Sequence, residues 1–174
     1  VNRYLIPIVL LSTLATLTSA REKPSDLTLR DLSGKKKVRL NDYRGKIVVL
    51  NFWATWCGAC REEMPMLVEA EKTWAAKGVT FIAVSLDDYK TKANIPSFIE
   101  RYRVEFPVWT GASSDELDKL QLGQGAPDTA FLNENGVIVA RVLGEIRRKE
   151  LDERLDWLTG DRKLAPPQAL INHM

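Results

Sequence analysis

From residue 46 onward, short apolar runs alternate with longer stretches in which apolar residues recur at helical spacing. Lys46-Ile47-Val48-Val49-Leu50-Asn51-Phe52 is nearly continuous in β-branched and apolar residues, the pattern of a central strand covered on both faces. From Cys57 to Ala76, Met64, Leu67, Val68 and Trp74 recur at helical spacing. Pro65 is expected to kink this helix and Gly78 to end it. Val79 to Ser85 reads as a second buried strand, Ile95 to Arg103 as a helix, and Phe106 to Trp109 as a short strand. Ser114 to Leu120 is a brief helix capped by Ser113 or Ser114. Thr129 to Leu132 and Val137 to Leu143 are strands joined through Asn135-Gly136, a strong hairpin signal. Arg148 to Leu158 is the last helix. The segment from Asp161, with Pro166-Pro167 and the single histidine His173, reads as a loose tail.

Upstream, Leu27 to Arg30 and Val38 to Leu40 alternate around Ser33-Gly34 and predict a small hairpin. Lys35-Lys36-Lys37 is read as its solvated tip and assigned no function. The order β-α-β-α-β-β-α predicts an α/β sandwich with a mixed central sheet flanked by helices and an N-terminal β-hairpin. The domain is expected to span residues 27–160, after a linker at 21–26 and before the loose tail at 161–174.

Residues 1–20 differ from the rest. Arg3 is followed by an apolar run from Leu5 to Leu17, then by Thr18-Ser19-Ala20 and the polar Arg21-Glu22-Lys23-Pro24. This pattern predicts a secretory signal, with an uncleaved membrane anchor as the alternative. The two cysteines would then work outside the reducing cytosol.

Composition narrows the chemistry. With 45% hydrophobic and 28% charged residues, the 174-residue chain is folded rather than disordered. A net charge of +2 gives no general reason to expect a nucleic-acid partner. Two cysteines and one histidine cannot build a four-ligand Cys/His zinc site, so no metal is expected.

The cysteine spacing carries the functional signal. Cys57-Gly58-Ala59-Cys60 follows a buried strand and opens a helix. Unpaired N–H groups and the positive dipole end lower a thiol pKa at that position. A spacing of three puts both sulfurs on one helical face, so a disulfide forms and breaks with little motion. Half a zinc site and a plain structural disulfide are the bland alternatives. A peroxidatic cysteine of the peroxiredoxin kind would want Pro-x-x-x-Thr-x-x-Cys, but Leu50 and Ala54 occupy those places. Thiol–disulfide exchange is the favoured reading.

The stretch from Val48 through Trp53-Ala54-Thr55-Trp56-Cys57-Gly58-Ala59-Cys60 to Pro65 resembles the active site of the exported thioredoxin-like reductases. That family includes TlpA-like proteins and the thiol reductases of cytochrome c maturation. Gly125-Ala126-Pro127-Asp128-Thr129 and Asn133-Glu134-Asn135-Gly136 form a second match. The resemblance covers residues 25 to 160 in organisation and implies a thioredoxin-like fold. It also implies a cis Pro127 facing the cysteines, with the Ala126 backbone exposed to pair with an extended substrate.

The resemblance further implies a functional glutamate at Glu63, three residues after Cys60, able to take that thiol's proton. A first-turn glutamate that merely complements the helix dipole is the alternative. Asn51 stands where cytosolic thioredoxins carry a buried aspartate. Trp53 is expected in the core and Trp56 as an exposed apolar wall for substrate. Asp128 is read as a surface residue or part of an acidic patch, and Arg61 as supporting the thiolate or simply solvated.

The expected protein is an exported, periplasmic thiol–disulfide oxidoreductase without a cofactor, a monomer acting as a reductase. Cys57 attacks, Cys60 resolves, Glu63 moves the proton, and Trp56, Ala126 and Pro127 bind substrate. Its partners would be a membrane thiol transporter and an exported client with a disulfide, such as apocytochrome c or a copper-site assembly protein. A non-catalytic client-binding module and a net thiol oxidant are the competing readings.

Overall fold

The structure, a computed structural model, describes residues 23–174. Residues 1–20, expected to be a secretory signal or membrane anchor, and the first two residues of the expected linker lie outside the described residues. Among the described residues, no helix is long and apolar enough to cross a membrane.

Among the described residues, eight strands form one mixed sheet. In chain order they are β1 (Thr28–Asp31), β2 (Lys37–Arg39), β3 (Ile47–Trp53), β4 (Val79–Ser85), β5 (Val108–Thr110), β6 (Asp128–Leu132), β7 (Ile138–Leu143) and β8 (Leu170–Asn172). Across the sheet they run β2-β1-β5-β4-β3-β6-β7-β8. The central strand β3 pairs parallel to β4 and antiparallel to β6. All seven of its residues are buried, which accounts for a run that is apolar except at Asn51.

Among the described residues, four α-helices cover the sheet: α1 (Gly58–Ala75), α2 (Ile95–Tyr102), α3 (Ser114–Lys119) and α4 (Arg148–Thr159). Alternation along β3 sorts its side chains between two cores. Val49 and Trp53 pack with Met64, Leu67, Phe98, Leu151 and Leu155 from α1, α2 and α4. Val48, Leu50 and Phe52 pack with Leu29, Leu117 and Leu122 on the opposite face. Asn51 shares the α1 side of the strand with Val49 and Trp53 and is 2% exposed. It is therefore a polar group inserted into an apolar layer, beside the helix that carries the cysteines.

Helix α1 runs as one 18-residue element through Pro65. One expectation is corrected: residues 161–174 are docked rather than loose. Leu170–Asn172 adds a strand parallel to β7, and Arg141 N–H donates to Ala169 O at 2.7 Å. Arg154, only 1% exposed, donates to Glu150 O at 2.8 Å and to Gln168 O at 2.6 Å. Arg162 grips both Glu134 oxygens at 2.7 Å. The chain approaches Gly144 closely, where φ is +86° and an added Cβ would lie 3.1 Å from His173 Cβ. His173 Nε2 lies 3.0 Å from Glu150 Oε1, so the segment is tied to α4 at both ends.

Candidate active site

Strand β3 ends at Trp53, and Ala54-Thr55-Trp56 turns the chain into α1. A carboxylate that sequence reasoning missed holds this turn. Asp87 Oδ2 accepts from Thr55 N–H at 2.9 Å, and Oδ1 accepts from Thr55 Oγ1 at 2.6 Å. Ser85 Oγ donates to Asp87 Oδ2 at 2.8 Å. Asp87 is 5% exposed. Its place just past the buried strand β4 was the only sequence signal for it. Arg61 binds the same turn, donating from Nε and Nη2 to Thr55 O at 3.3 and 3.0 Å. Its guanidinium is thus engaged with a backbone carbonyl of the loop.

Cys57 occupies the N-cap of α1, and its Sγ accepts from Cys60 N–H at 3.0 Å. The two cysteines are joined in a disulfide, with Cα atoms 5.3 Å apart. Cys57 keeps 6% of its surface exposed, whereas Cys60 is sealed at 0%. On reduction, a thiolate at Cys57 would face that N–H and the positive end of an 18-residue helix. The asymmetry in access falls on the same residue.

The loop before β6 meets the cysteines. The Ala126–Pro127 peptide is cis, and Ala126 O lies 3.5 Å from Cys57 Sγ. A cavity of about 440 Å3 opens there, lined by Ala59, Ala126, Pro127, Gly144, Arg147 and His173 among others. Trp56, the residue before Cys57, has 54% of its surface exposed, while Trp53 is fully buried, its ring 4.3 Å from that of Phe98.

Asp128 is corrected from surface to interior. It has no exposed surface. Its Oδ2 accepts from Gly123 N–H at 2.7 Å and its Oδ1 from Gly144 N–H at 3.0 Å. The side chain therefore joins the loops on either side of Pro127. Gly123 is needed for this approach, because a Cβ there would sit 2.9 Å from Asp128 Oδ2. Burial pushes the Asp128 pKa up to about 6, against the pull of the two N–H donors.

Glu63 is buried, at 2% exposure. Its Oε1 accepts from Asn51 Nδ2 at 2.7 Å and its Oε2 from Ile146 N–H at 2.9 Å. Burial pushes its pKa up to about 7. The two donors pull it down, and the carboxylates of Glu145 and Asp128 push it further up. A carboxyl group in this range exchanges protons near neutral pH. Glu62, next in the helix, is exposed.

A family model for the AhpC/TSA family matches residues 20–141. The chain belongs to the AhpC/TSA family. Among its relatives, the thiol-disulfide oxidoreductase ResA of Bacillus cereus is 32% identical over 139 residues, covering 80% of this chain and 78% of ResA. The thioredoxin-like protein YneN of Bacillus subtilis is 35% identical over 136 residues, 78% of each chain. Among solved structures, a thiol:disulfide interchange protein described as DsbE from Chlorobium tepidum superposes with a TM-score of 0.70 at 26% identity. The match covers 80% of this chain and 96% of that one. A DsbF homologue from Corynebacterium diphtheriae gives 0.68 at 26% identity, covering 80% and 89%. The chain has the thioredoxin-like fold and is a thiol–disulfide oxidoreductase, and its C-x-x-C cysteines are joined in a disulfide.

Proposed function

We propose that this oxidoreductase is a reductase of disulfides in exported client proteins. One observation carries the reading: Cys57, the less buried member of the Cys57–Cys60 pair, caps α1 and faces the cis-proline loop. In the cycle, the Cys57 thiolate attacks one sulfur of the client disulfide. A Cys57–client mixed disulfide forms, and the client's other sulfur leaves as a thiolate. Cys60 then gives up its proton and attacks Cys57 Sγ. The second client thiol departs, and the Cys57–Cys60 disulfide remains. Two electrons have passed to the client, and a membrane thiol transporter returns them to the protein.

Glu63 is the group we assign to the Cys60 proton. Support comes from its burial, its pKa near 7 and its place one helical turn beyond Cys60. Trp56, Ala126 and Pro127 are assigned to docking. The Ala126 N–H makes no hydrogen bond among the described residues, which leaves an edge for an extended client. The client would be an exported protein such as apocytochrome c or a copper-site assembly protein. The protein itself would work as a monomer on the periplasmic side, released from its N-terminal segment or held by it.

The reduction potential tests the direction of transfer. Equilibration with glutathione redox buffers, read by thiol alkylation and mass, is expected to place the pair near thioredoxin, at about −270 mV. A value close to that of the strong oxidant DsbA, about −120 mV, would overturn the reductase assignment.

A further inference from the structure

The polar cluster around Glu63 contains one group without a partner. Asn51 Nδ2 donates twice, to Glu63 Oε1 at 2.7 Å and to Thr129 Oγ1 at 3.1 Å. Its Oδ1 is buried and has no hydrogen-bond partner among the described residues. Both donated bonds leave from the same amide nitrogen, so the whole burden of the cluster falls on one end of the side chain.

This arrangement favours a charged Glu63. A carboxylate accepts hydrogen bonds, and Nδ2–H supplies one. Protonation at Oε1 adds an O–H donor, and the amide NH2 facing it cannot accept. In place, that O–H would lie buried without an acceptor, which is costly. A half-turn about the last side-chain torsion of Asn51 exchanges Nδ2 and Oδ1. Oδ1 then accepts from the Glu63 O–H and from the Thr129 hydroxyl, whose own hydrogen is otherwise unused. Either orientation leaves one amide atom unpaired, the oxygen as it stands and the NH2 after the turn, so the turn needs the new O–H bond to Glu63 to drive it. The Glu63 charge decides between them.

We propose that the Asn51 amide is a positioning group that turns over with the protonation of Glu63, keeping the two side chains bonded in both states. Its importance for turnover rests on the assignment of the Cys60 proton to Glu63. When the carboxylate takes that proton, the buried acid keeps a partner, and when it releases the proton the amide returns. An aspartate at position 51 lacks the donor for a charged neighbour, and a leucine offers neither group.

The other groups facing Glu63 do not supply this exchange. Ile146 N–H donates to Oε2 and, as backbone, cannot invert. Glu145 and Asp128 act at longer range through their charge, and Asp128 is held by Gly123 and Gly144. The Cys57–Cys60 disulfide carries no proton.

The test needs no turnover. In the oxidised wild-type protein, the side-chain amide resonances of Asn51 and the carboxyl carbon of Glu63 are followed by NMR from pH 5 to pH 9. The expected result is one sigmoid with a shared midpoint for both. In Glu63→Gln the amide should stay at its low-pH position throughout, because glutamine donates as the acid does. In Asn51→Leu the Glu63 midpoint should rise, since the carboxylate loses its side-chain donor. Asn51 resonances that stay flat while Glu63 titrates would overturn the proposal. So would a response that persists in Glu63→Gln, which would trace it to Asp128. A shared midpoint together with an unchanged resolving rate in Glu63→Gln would uphold the amide turn and remove the catalytic assignment of Glu63.

Discussion

Replacing Glu63 by glutamine should make the oxidised protein's stability less sensitive to alkaline pH. In the unfolded chain this carboxyl titrates at an ordinary value near 4.5, and in the folded protein at about 7. Between those values the folded state holds more protons than the unfolded state, so stability falls as pH rises. The contribution is fully present below pH 4.5 and is lost as pH climbs through 7. A difference of about 2.5 pH units, at ~1.4 kcal/mol per unit, amounts to about 3 kcal/mol. Glutamine does not titrate. Its amide also fits the site, with the oxygen accepting from Ile146 N–H and the nitrogen donating to a turned Asn51. Asp128 titrates in both proteins, so its drift enters the difference only through its coupling to Glu63. Urea unfolding of both proteins at pH 4.5, 6, 7 and 8.5 measures it. The variant should gain about 3 kcal/mol on the wild type across that range, a midpoint change on the order of 1 M at typical slopes. A difference that stays constant with pH would refute the claim that a buried, proton-holding Glu63 shapes this site.

Other expectations concern the supports of the site. Asp87→Ala should lower the unfolding midpoint, because Thr55 N–H and the hydroxyls of Thr55 and Ser85 lose their acceptor, at about 1–3 kcal/mol for each group left buried and unpaired. Unchanged denaturation would mean that water replaces the carboxylate. Arg154→Met should free residues 161–174 while α4 persists. Hydrogen exchange at the Arg141 and His173 amides, which donate to Ala169 O and Leu143 O, should accelerate. Protection equal to the wild type would show that β8 holds without the guanidinium.

Much of the fold is legible in the chain because local pattern and tertiary environment agree. Apart from Asn51, Val48 to Phe52 is apolar on both faces because both faces of β3 are covered. Asn135-Gly136 makes its turn with Gly136 at φ +69°. The Cys57-Gly58-Ala59-Cys60 spacing is readable since a strand and a helix flank it. What escaped depends on long-range partners. Leu170-Ile171-Asn172 is a strand only because the edge of β7 accepts it, and the fixing residue Arg154 lies in a helix whose sequence gives no sign of burial. Asp128 was misread because an acid beside a proline ordinarily means surface, and its partners Gly123 and Gly144 are backbone groups without a sequence signature. Asp87 is hidden for the same reason, its partners being 32 residues away at Thr55 and nearby at Ser85. The Asn51–Glu63 contact joins a strand to a helix, and only its Glu63 half was marked by spacing from Cys60.

The central claim is that Cys57 is the thiol that meets the client and Cys60 the one that releases it. It is tested most directly by trapping. Reduced Cys60→Ser protein is mixed with an exported, disulfide-bonded client protein, quenched with acid, and mapped by mass spectrometry. The account predicts a stable covalent adduct through Cys57, absent in Cys57→Ser and discharged in the wild type. An adduct of equal yield through Cys60 in the Cys57→Ser protein, or no adduct in either variant, would contradict it.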